Sequence, residues 1–147
     1  MKILQVYIHI FLLICVSYCA KKAPSQNKVL TCVKAQIGKP FETNGIGPKS
    51  FDSSGLAYYC HDKKIPRNSY DQSKSGTYVD KTKLKPGDLM FWDTNEKDGQ
   101  KKVTHTTIYI GDKKMIYAPG PGEKVKIAAS SSSYWDKRYI TARRYWT

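Results

Sequence analysis

The chain is poor in the residues from which metal centres are built: its 147 residues include only three histidines and four cysteines. His9 lies in an apolar stretch, His61 follows an expected helix and His105 sits on an expected strand. None stands at ligand spacing from a cysteine, so neither a metal nor another cofactor is expected. His61 reads as a solvated residue at a helix end, favoured there by the negative pole of the dipole. Acidic residues are scarce too, 12 against 25 Lys plus Arg, which leaves a formal net charge of +13. Such an excess favours anionic surfaces, among them wall polymers, acidic glycans and lipid headgroups. The cations are scattered in pairs (Lys21-Lys22, Lys63-Lys64, Lys101-Lys102, Lys113-Lys114, Arg143-Arg144). No helix-turn-helix, zinc-finger spacing or stacking-aromatic motif accompanies them, which argues against nucleic acid as a partner. Repeats are absent, and beyond residue 20 no apolar run is long enough to span a bilayer.

The first twenty residues are different in kind. A basic start at Lys2, an apolar centre from Ile8 to Val16 and small residues from Ser17 to Ala20 read as a signal peptide. The alternative is an uncleaved membrane anchor, which the shortness of the apolar run disfavours. Cleavage is expected between Ser17 and Ala20, giving one secreted, monomeric domain over 21–147. Cys15 and Cys19 leave with the signal, and Cys32 and Cys60 remain. In an oxidising compartment these two form either a disulfide between the first two helices or a pair of buried thiols.

Periodicity divides the remainder. Asn27 to Ile37 is expected to be helical, with Leu30, Val33 and Ile37 inward and Gly38-Lys39-Pro40 as the stop. Phe41 to Ser50 is a loop, and His61 to Gly76 is irregular or short-helical. Leu89 to Trp92 reads as a buried strand after the Lys85-Pro86-Gly87-Asp88 turn, followed by a polar loop from Asp93 to Lys102. From Val103 to Ile110 residues alternate, with His105, Thr107 and Tyr109 on one face and Thr106, Ile108 and Ile110 on the other. Met115 to Ala118 returns as a hairpin, Val125 to Ile127 adds a strand, and Tyr134-Trp135 with Tyr139 to Tyr145 reads as a closing strand. Helices first and antiparallel strands after make an α+β domain.

The stretch that organises the rest is Phe51-Asp52-Ser53-Ser54-Gly55-Leu56-Ala57-Tyr58-Tyr59-Cys60, a turn feeding a helix. Asp52 or Ser53 caps it, and Leu56, Tyr59 and Cys60 share a face. A side chain in its first turn meets the positive end of the macrodipole, a position that activates a cysteine nucleophile. The stretch resembles the Asp-Cys-Ser-Gly-Leu signature of the NlpC/P60 family of cell-wall cysteine peptidases, with Ser53 in the cysteine's place. Further segments resemble the family in its order: Ile37 to Phe41, Ile65 to Ser69, Leu84 to Leu89, His105 to Pro119, and Tyr134-Trp135 through Arg143-Arg144.

The resemblance implies a papain-like fold, N-terminal helices on a small antiparallel sheet, and action on peptidoglycan stem peptides. Carried over by position, the nucleophile is Ser53, the base His105 and the orienting residue Tyr117, where His, Asn or Gln is usual. Phe41 replaces a tyrosine near the substrate, and Thr107 a common glycine. Asp52 matches an acidic residue that receives the amino end of a stem peptide, and Ser54 and Ser69 match polar residues lining the cleft. Binding positions thus survive better than catalytic ones. A serine hydroxyl is a much weaker acid than a thiol, and a dipole contribution of about 0.3–1 kcal/mol does not close that gap. The resemblance therefore implies a binding protein on a peptidase scaffold. The alternatives are a serine-using endopeptidase, with Asp88 or Asp93 assisting His105, and a secreted interaction domain in which Ser53 is only a helix cap.

Overall fold

The computed structural model describes residues 22–95 and 101–147. The expected signal segment 1–20, with His9, Cys15 and Cys19, lies outside the described residues, as does part of the Asp93–Lys102 loop.

Helix α1 spans Gln26–Ala35, with the Ser25 hydroxyl accepting from the Lys28 N–H. Its inward stripe is Val29 and Val33, both fully buried, followed by Gln36. Val33 is inward as expected, but its neighbours on the stripe lie one position earlier than expected: Leu30 is half-buried, and Ile37 lies beyond the helix with 43% of its surface exposed. Helix α2, Ser53–Cys60, packs on α1 and is joined to it by a Cys32–Cys60 disulfide with the Cα atoms 5.4 Å apart. Helix α3, Ser69–Lys74, is one and a half turns capped by Asn68, whose Oδ1 accepts from the Asp71 N–H at 2.9 Å.

The sheet contains six strands in the order β1-β6-β2-β3-β4-β5, every pairing antiparallel. They are β1 (Thr77–Tyr78), β2 (Leu89–Trp92), β3 (His105–Gly111), β4 (Lys114–Tyr117), β5 (Lys126–Ala129) and β6 (Tyr139–Arg144). β2 is apolar throughout and fully buried because both faces are covered. On the helical face Leu89, Phe91, Ile108 and Ile116 join Val33, Phe51, Leu56 and Ala57. On the other face Met90, Trp92 and Met115 pack under Trp135.

One element departs from expectation. Tyr134-Trp135 belongs not to the closing strand but to a short helix α4, Ser133–Arg138, whose cap Ser132 accepts from the Trp135 N–H at 3.2 Å. Residues with strong strand propensity are helical here because the cap and the aromatic pocket over Trp92 outweigh local preference. His61 departs as well. It is fully buried rather than solvated, its Nδ1 lying 2.7 Å from the Ala57 carbonyl and its ring set edge-on to Tyr145.

The seat of α2 is set by Gly55. A Cβ placed there would stand 1.9 Å from the Gly45 carbonyl oxygen, a backbone atom of the preceding loop. The same oxygen accepts from the Asp52 N–H at 3.0 Å, so loop and helix start are locked together. Gly55→Ala should therefore cost about 1–3 kcal/mol through overpacking. It should lower the thermal midpoint by several degrees; an unchanged midpoint in calorimetry would refute this seat.

Candidate active site

Ser53 is the first residue of α2, placed there by the Asp52 cap. Asp52 Oδ1 accepts from the Gly55 N–H at 2.6 Å, which satisfies one of the orphan donors of the first turn. The β3 strand starts at His105 and runs under the same helix. Ser53 and His105 therefore face one cleft of about 470 Å³, with Phe41, Asp52, Ser54, Asn68, Ser69, Tyr70 and Pro119 also on its walls. Of the seven candidate residues carried over by position, Ser53, His105, Phe41, Asp52, Ser54 and Ser69 line that cleft. Tyr117 does not; it sits behind His105, its ring edge-on to the imidazole with centroids 5.7 Å apart.

The geometry around His105 is the chemical key. Its Nε2 is buried and has no hydrogen-bond partner among the described residues, so Tyr117 touches the ring without orienting it. Burial lowers the imidazole pKa from 6.5 to about 4, and the carboxylate of Asp52 offsets only part of this. A neutral ring with an orphaned nitrogen is poorly placed to become imidazolium, since nothing accepts the Nε2 proton.

Neither carboxylate that might have helped is available. Asp88 stands at the other end of β2 and accepts from Arg144 twice at 2.7 Å, from the Trp146 indole at 3.1 Å and from the Lys85 N–H at 2.8 Å. Asp93 lies closer in the fold but accepts from the Asn95 N–H at 2.9 Å and the Lys102 N–H at 3.1 Å, closing its own loop. Thr107, in the place of a glycine, accepts from the Trp92 indole N–H at 2.8 Å. Its hydroxyl is spent on the core.

Asp52 has a second duty that the sequence did not reveal. Arg67 grips it with two bonds, Nη2 to Oδ2 at 2.6 Å and Nη1 to Oδ1 at 3.1 Å, and Nη1 also reaches Ser54 Oγ at 2.9 Å. An incoming ammonium group would thus meet an ion pair, not the free carboxylate expected from position alone.

Ser69 is different. Gln72 Nε2 donates to the carbonyls of Ser54 and Pro66 at 3.0 and 2.8 Å, so its Oε1 must accept. Thr106 Oγ1 lies 3.0 Å from that oxygen and 2.9 Å from Ser69 Oγ. Thr106 has one proton, and giving it to Gln72 leaves Ser69 to donate to Thr106. Ser69 then turns only lone pairs to the cleft, an acceptor for a ligand N–H.

Arg67, Gln72 and Thr106 were missed as site residues. Arg67 stands in a segment that already carries the family resemblance, but its partner is fifteen positions away.

A serine at a helix N-terminus facing a strand histidine across a cleft, on an α+β frame, is the layout of a papain-like hydrolase. The family comparison agrees: residues 38–144 match the NlpC/P60 family, and the chain belongs to that family. It is 33% identical over 135 residues to murein DD-endopeptidase MepH of Escherichia coli, covering 87% of this chain and 49% of that protein. It is 34% identical over 125 residues to the gamma-D-glutamyl-L-lysine dipeptidyl-peptidase of Bacillus cereus, covering 83% of this chain and 37% of that one. Among solved structures, an NlpC/P60 family protein from Bacillus cereus superposes with a TM-score of 0.76 at 34% identity, over 85% of this chain and 41% of the other. The chain thus spans half or less of the length of these relatives.

His105 and His61 share a consequence. Both pKa values are lowered from 6.5 to about 4 by burial, and unfolding restores the ordinary value. Between pH 6.5 and 4 the unfolded chain binds more protons, so stability is full above pH 6.5 and is lost as pH falls towards 4. The slope approaches about 1.4 kcal/mol per pH unit for each ring. Urea midpoints should fall steeply below pH 6, and His61→Gln should remove roughly half of the slope. Stability that stays flat from pH 7 to 4.5 would contradict it.

Proposed function

We propose that the protein is exported and binds the peptide portion of peptidoglycan in the Ser53–His105 cleft without efficient turnover. The observation that carries this reading is the buried, unpartnered Nε2 of His105 beside a serine in the nucleophile's position. A cysteine can form a thiolate–imidazolium pair before substrate arrives; a serine requires its base to take the proton in the transition state. Serine hydrolases provide for the resulting imidazolium with a carboxylate behind the ring, and here Tyr117 supplies only an aromatic edge.

The binding surface is better kept. Ser69 offers an acceptor, the Asp52–Arg67–Ser54 cluster offers donors and acceptors in fixed positions, and Phe41 and Tyr70 flank the cleft. The names of the relatives point to peptidoglycan as the material bound, although they specify different bonds. Export is supported by the Cys32–Cys60 disulfide, which suits an oxidising compartment, and the excess of Lys and Arg over Asp and Glu suits an anionic wall.

Digestion of defined muropeptides, read by mass spectrometry, tests this. Wild type should release no product. Ser53→Cys should show weak cleavage, and Ser53→Cys combined with Tyr117→Asn should be at least about tenfold faster, because a carbonyl then accepts the imidazole proton. Cleavage by wild type that is lost in Ser53→Ala would establish a serine endopeptidase instead.

A further inference from the structure

His105 is a wall between two spaces. In front lies the cleft with Ser53; behind lies a second cavity of about 330 Å³, lined by Thr94, His105, Tyr117, Pro119, Tyr134 and Trp135. His105 and Pro119 line both, so the two are successive parts of one trough. The rear part is an aromatic box. Tyr117 and Tyr134 stand at 88° and 89° to Trp135, with centroids 5.5 and 5.1 Å from it, and His105 stacks on Trp135 at 29°. Tyr117 therefore fills the position of an orienting residue and forms a wall of a cavity instead.

We propose that this box is a subsite for one neutral sugar ring, an N-acetylhexosamine of the glycan strand, while the stem peptide occupies the Ser53 cleft. This rests on the peptidoglycan-binding reading above. Aromatic boxes take either cations or the apolar faces of rings, and three observations favour the ring. Among the described residues no carboxylate lines the box. The guanidinium of Arg138 already covers Tyr134, 3.7 Å from its centroid, so a second cation would meet a like charge. The lining mixes aromatic faces with the hydroxyls of Thr94, Tyr117 and Tyr134, the pairing that a pyranose with one apolar face and a polar rim requires. Burial raises the Tyr117 phenol above 10, so it remains a donor. Continuity with the cleft supplies the rest, since in peptidoglycan the peptide and the sugar are covalently joined.

The test is titration of the mature chain with three probes: chitotetraose, a free stem tripeptide, and tetramethylammonium. Binding is followed by calorimetry and by the indole resonance of Trp135. Chitotetraose should bind and shift that resonance, the tripeptide should bind without shifting it, and tetramethylammonium should do neither. Tyr134→Ala, at a residue 48% exposed and outside the peptide cleft, should weaken chitotetraose about three- to tenfold and leave the tripeptide unchanged. Tyr70→Ala, at the cleft rim, should not affect chitotetraose. Absence of sugar binding, equal sugar affinity in Tyr134→Ala, or a Trp135 shift with tetramethylammonium each overturns the proposal. Tripeptide binding without sugar binding sinks the box alone. Sugar binding without tripeptide binding upholds the box and sinks the peptide reading.

Discussion

The functional face depends on how the N-terminus of α2 is held. Asp52 caps the helix through the Gly55 N–H, is gripped by Arg67, and is tied through its own N–H to the Gly45 carbonyl. These bonds fix Ser53 in space before any ligand arrives. They also engage a carboxylate that lines the His105 cleft, since a bidentate guanidinium satisfies much of its hydrogen-bonding capacity. One set of interactions thus builds the site and holds the carboxylate whose charge offsets only part of the burial of His105.

From that constraint the chemistry follows. Desolvation dominates at His105, and the charge of Asp52 offsets only part of it. In a working hydrolase a hydrogen-bond acceptor behind the imidazole makes the charged state accessible; here that space holds Tyr117 and Trp135. The same rings that deny the histidine a partner form the rear cavity. The proposed impairment of turnover and the proposed aromatic subsite thus trace to the same residues, Tyr117 and Trp135 behind His105.

Much of this was legible in the sequence where the code is local. Leu89 to Trp92 is the strand its apolar run implied, and the alternation from His105 to Ile110 sorted those residues onto the correct faces. The Asp52–Ser53 helix start was readable because capping is a short-range interaction. What was hidden is tertiary. His61 looked solvated because Tyr145, eighty-odd positions later, is what covers it. Arg67 and Asp88 find partners far along the chain, so nothing near them in sequence announces either pair. Tyr134-Trp135 looked like strand because six residues are too few for helical periodicity to overcome aromatic composition. The departures at Ser53 and Tyr117 were visible at once, but their joint effect appears only when His105 is seen with its Nε2 unpartnered.

Whether Ser53 is an activated nucleophile is decided most directly by a fluorophosphonate probe. The intact protein would be incubated with the probe and the modified residue located by peptide mass spectrometry, with His105→Ala as the comparison. With an unactivated Ser53, its labelling should not exceed that of the exposed serines Ser131 and Ser132. Stoichiometric labelling of Ser53 that disappears in His105→Ala would contradict this and mark Ser53 as activated.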